Sequence, residues 1–67
     1  MSLKGKKEQL KKEEEKINNL IKDLQKDYFT KGVMPADSYK KNLSEYKSRS
    51  VQIEQELLEL KRKEQAE

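Results

Sequence analysis

The chain has 67 residues, 43% of them charged and 31% hydrophobic, with a formal net charge of +3 and neither cysteine nor histidine. A chain this short and polar does not enclose a sizeable core, and lacking both residue types it has no disulfide or zinc to staple it. The same absences remove the thiolate nucleophile and the usual general base near neutral pH, so no enzymatic activity is expected.

Residues 1–5 are expected to be a disordered or vector-derived leader, because Met1-Ser2-Leu3 reads as a vector remnant and Gly5 weakens a helix. On that reading the chain is a fragment of a larger protein. From residue 6 to residue 30 the apolar positions follow a helical period. Leu10, Ile17 and Leu24 share a seven-residue repeat, with Leu3 continuing it backwards, and Ile21 and Tyr28 form a second line four residues on. This is a heptad seam with steps of three and four, weakened toward the N-terminus where Lys7 and Glu14 take the second line. The opening turns are otherwise almost wholly charged, with Glu8 and Lys12 spaced to pair along the helix.

Residues 31–36 read as a tight turn. Gly32 suits the left-handed position past a helix end, and Pro35 stops the first helix while pushing Met34 out of the α region. Asp37 puts a carboxylate in the first turn of the next helix, where free N–H groups favour it. With Pro35 at the N-cap, Met34 and Tyr39 have the spacing of a hydrophobic staple.

Residues 37–66 predict a second helix. Tyr39, Leu43, Tyr46, Ser50, Ile53, Leu57 and Leu60 alternate steps of four and three, with one polar member, Ser50. Glu45 with Arg49 and Glu59 with Lys63 are spaced as i,i+4 ion pairs.

A turn this short makes the helices antiparallel, and one register satisfies every layer: residue numbers that face each other add to 67. Tyr28 then meets Tyr39, Leu24 meets Leu43, Ile21 meets Tyr46, Ile17 meets Ser50, Glu14 meets Ile53, and Leu10 meets Leu57. With Ile17 and Leu24 at heptad position d and Leu43 and Leu57 at position a, each layer is the d-to-a pairing of antiparallel coils. The expected fold class is an all-α, coiled-coil-like two-helix hairpin. Leu20, Phe29, Val51 and Leu58 lie off the seam. Leu20, Val51 and Leu58 are therefore the expected oligomer interface, through which two hairpins would form a four-helix dimer, or the hairpin would pack on helices of a parent protein.

Other chemistry has little to build on. No carboxylate group has calcium-loop spacing, no Glu-x-x-His motif exists, and Gly5 and Gly32 are too isolated to cradle a phosphate, so no cofactor, metal or small-molecule substrate is expected. Residues 3–31 hold nine lysines against six acids, whereas residues 36–67 balance seven against seven. Weak nucleic-acid or anionic-membrane binding through the N-terminal lysines is the alternative function, blunted by the interleaved glutamates. No apolar run is long enough for a membrane span or signal peptide, and a cytoplasmic location is expected, or the soluble part of a membrane-associated protein.

Around the turn, the run Leu24…Tyr28…Gly32-Val33-Met34-Pro35-Ala36-Asp37-Ser38-Tyr39…Leu43 resembles the SHOCT family of short helical hairpins, over about residues 20–46. Pro35 stands where that family has a capping hydroxyl, Ser38 replaces an acid, and both helices here are longer. The resemblance implies an oligomerisation or interaction module. The expected function is thus structural: helix association through heptad seams.

Overall fold

The computed structural model describes residues 2–66. Two long helices, α1 (Leu3–Gln25) and α2 (Ala36–Ala66), pack against each other, and a π-helical segment (Lys26–Lys31) extends α1 to the turn. At 1.5 Å per residue α2 is about 46 Å long, close to the 50 Å long axis of a rod that is 16 by 15 Å in section. The fold is all-α, with no strand among the described residues.

Helix α1 starts three residues before the expected boundary. The cause is Ser2, whose Oγ accepts the Gly5 N–H at 3.1 Å while its carbonyl accepts the Lys6 N–H at 3.0 Å. This N-cap satisfies donors that would otherwise be free, so Gly5 is carried within the helix despite its entropic cost. Leu3 is half-buried and packs on the core. Residues 3–5 thus belong to the first turn of α1 and Ser2 is its N-cap, where a disordered or vector-derived leader was expected; Met1 lies outside the described residues.

The turn forms as its residues predict, with each helix boundary displaced by one residue. Gly32 has φ 63° and ψ 28°, the left-handed cap. Its N–H and that of Val33 both donate to the Asp27 carbonyl, the latter at 3.1 Å. Pro35 is the N-cap of α2, its carbonyl accepting the Tyr39 N–H at 3.1 Å, and Asp37 lies in the first turn. Met34 is half-buried and Tyr39 buried.

The π segment was not expected. It contains Tyr28, Phe29 and Thr30, all weak helix formers. Here the Tyr28 ring stacks on Tyr39 with centroids 4.2 Å apart and planes 4° from parallel. Phe29 meets Tyr28 edge-on at 4.9 Å and Tyr39 at 5.4 Å. Each such contact contributes about 0.5–1.5 kcal/mol beyond area burial, enough to offset the poorer geometry of one wide turn.

Tyr28 on Tyr39 at one end and Lys7 beside Glu64 at the other, 3.4 Å apart, establish the antiparallel arrangement. The Tyr28–Tyr39 stack is a pairing the register of 67 requires. Leu10, Ile17, Ile53 and Leu60 form one buried cluster, with Leu3, Leu20, Ile21, Tyr46 and Leu57 packed against it. Leu24 and Tyr39 are also buried, nearer the turn.

Candidate functional site

Burial separates the two heptad lines that periodicity treats alike. Of the d positions, Leu10, Ile17, Leu24, Tyr39, Ile53 and Leu60 are buried, and only Leu3 and Tyr46 are half-buried. Of the a positions, none is buried: Lys7, Glu14, Ile21, Tyr28, Leu43, Ser50 and Leu57 are half-buried and Glu64 is exposed. The composition explains this. Both d lines are wholly apolar or aromatic, whereas the a lines carry Lys7, Glu14, Ser50 and Glu64. Rolling the helices toward their d lines buries apolar surface and leaves the polar a positions access to water.

The flanks follow the same asymmetry. Position g lies beside d. There Glu13, Leu20, Asp27, Asn42 and Arg49 are half-buried, and Glu13 Oε1 accepts a hydrogen bond from Arg49 Nε at 2.8 Å and forms an ion pair with Nη2 at 2.7 Å. Arg49 Nη1 also donates to Gln52 Oε1 at 3.3 Å. The expected Glu45–Arg49 pair is thus replaced by a link across the hairpin. Among the described residues the ion pairs are Glu13–Arg49, Lys7–Glu64 and the i,i+4 pair Asp27–Lys31, so Glu8–Lys12 and Glu59–Lys63 do not form either.

Position e lies beside a, and here every residue is exposed: Lys4, Lys11, Asn18 and Gln25 on α1, and Lys40, Lys47, Glu54 and Lys61 on α2. The hairpin has a closed d/g side and an open a/e side. A groove of about 470 Å³ runs along the open side, lined by Lys7, Lys11, Glu54, Leu57, Leu58 and Lys61. Leu58 on its wall and Val51, one heptad earlier on α2, stand 57% and 51% exposed.

Two of the three residues expected at an oligomer interface therefore lie together on the open side. The third, Leu20, does not. It sits on the g flank and packs against the hairpin's own core, because the roll toward d brings that flank inward. Tyr28, Ile21, Leu43 and Leu57, expected as closed seam residues, instead form the half-buried floor of the open side. At the turn Phe29 and Val33 are 69% and 70% exposed, Phe29 as an off-seam residue should be. No helix of the described residues is long and apolar enough to cross a membrane.

Comparison with protein-family models, characterised proteins and solved structures finds no match to this chain. What the site can do is read from its own chemistry. An apolar strip along a groove, bordered by long cationic side chains, suits the packing of another amphipathic helix.

Proposed function

We propose that this chain is a non-enzymatic, coiled-coil-like interaction module whose open side takes up a further helix. The observation that carries the proposal is the pairing of exposed Val51 and Leu58 with half-buried Leu43 and Leu57 on one side, while the other side is closed by Leu20 and the Glu13–Arg49 link. Surface area supports it. A compact monomer of this mass exposes about 4,450 Å², and the chain exposes 5378 Å². The excess of roughly 900 Å² is the scale of one partner's share of a standard interface, about 800 Å². The resemblance of the turn to SHOCT hairpins, with the interaction role that it implies, favours the same reading. A four-helix dimer of two hairpins is one way to fill the open side; a helix from another protein is the other.

Contact with nucleic acid or anionic lipid through the N-terminal lysines has less support, because those lysines are interleaved with Glu8, Glu13, Glu14 and Glu15, which blunt their field.

The test is Val51→Ser combined with Leu58→Ser. The isolated variant should keep the helicity of the parent chain in circular dichroism. It should lose the association that sedimentation equilibrium detects, whether with itself or with an added amphipathic helix. Association unchanged in the variant contradicts the proposal, and so does a loss of helicity at concentrations where the parent is monomeric.

A further inference from the structure

The charges on the open side discriminate between the possible occupants. The exposed e positions hold Lys4, Lys11, Lys40, Lys47 and Lys61 against one acid, Glu54. The closed g flank is balanced, with Lys6, Arg49 and Lys63 against Glu13, Asp27 and Glu56. Adding the a lines brings Lys7, Glu14 and Glu64, and the first and last of these are already paired with each other. The a and e lines together hold six lysines and three glutamates, a net +3 beside the groove, while the b line that carries Val51 and Leu58 adds Lys22 against Glu8, Glu15 and Asp37 farther out. None of the five e-position lysines takes part in an ion pair among the described residues.

We propose that the open side receives an acidic amphipathic helix from a different protein, completing a three-helix bundle. This rests on the interaction reading above and narrows it to one class of partner. A second copy is the poorer occupant, since a two-fold axis through this side would set two lysine-rich flanks against each other, and like-charge juxtaposition disfavours a pairing. Nor can a second copy offer another face: outside its a, d and g positions, α1 carries no leucine, isoleucine, valine or aromatic residue between residues 3 and 25. A lipid surface is poorly matched, because the apolar strip beside the groove is only Val51 and Leu58, and the exposed Phe29 sits apart from it at the turn. Two apolar contacts one heptad apart, about 10.5 Å along the axis, fit the i, i+3/i+4, i+7 anchors of a helix laid in a groove. Glutamates flanking those anchors would meet Lys47 and Lys61 on one border and Lys4 and Lys11 on the other.

The experiment titrates the full chain against two designed peptides with the same leucine heptads, one flanked by glutamates and one by lysines. Binding is followed by fluorescence anisotropy at low and at 0.5 M salt, with anionic vesicles and a single-stranded RNA as competitors. The acidic peptide should bind about tenfold or more tightly than the basic one at low salt, with the gap narrowing as salt screens the flanks. Lys47→Glu with Lys61→Glu should reverse the order, and Val51→Ser with Leu58→Ser should weaken both. Equal affinities, an order unchanged by charge reversal, or displacement by vesicles or RNA but not by excess acidic peptide would each overturn the inference. A tight homodimer that excludes both peptides would overturn it too, while leaving the interaction reading intact. Binding of neither peptide by a helical, monomeric chain would defeat both.

Discussion

Gly32 lies at φ 63°, where an L side chain is disfavoured, and nothing lies within 4 Å of the place its Cβ would occupy. The cost of a side chain there is therefore backbone strain alone. Gly32→Ala should reduce stability by about 1 kcal/mol, and Gly32→Asn by less, since asparagine tolerates the left-handed region. Urea denaturation followed by circular dichroism measures both; equal stability of the alanine variant and the parent would contradict the assigned cap. The glycine, Pro35 and Asp37 were legible in the sequence because each acts through its own backbone or charge. Ser2 was not: a cap shows only when the helix that follows is recognised, and Gly5 obscured that helix.

Within α1 and α2 the heptad spacing identified the residues that face the partner helix, and the stacked Tyr28 and Tyr39 rings match its register. Equal weight for a and d hid the roll of the helices, although the signal was present: all four polar seam residues, Lys7, Glu14, Ser50 and Glu64, sit on a lines. The roll also reassigns Arg49, from Glu45 on its own helix to Glu13 across the seam. Both side chains of that pair are about one-third exposed, so a double-mutant cycle between Glu13→Ala and Arg49→Ala should give a coupling of about 0.5–1 kcal/mol, reduced in 0.5 M salt. The corresponding cycle for Glu45 and Arg49 should give nothing measurable. A larger coupling for Glu45 than for Glu13 would mean that the helices are not rolled as described.

For the molecule as a whole, the consequence is a rod with one finished side and one unfinished side. The d/g side ends in ordinary half-buried polar residues and an ion pair; the a/e side ends in leucine, valine and unpaired lysine. Both the all-α class and the hairpin follow from period and turn chemistry. Which side stays open does not, because it depends on the rotation of two helices about their own axes. The chain has no native cysteine, so single cysteines report on that rotation without background. Thiol-labelling rates at positions 20, 51, 53 and 58, measured at concentrations where the chain is monomeric, are the most direct measurement. Cysteines at 51 and 58 should react nearly as fast as a free thiol, one at 20 distinctly more slowly, and one at 53 slowest of all. Equal rates at 20 and 58, or protection at 51 and 58 in the monomer, would contradict the open side.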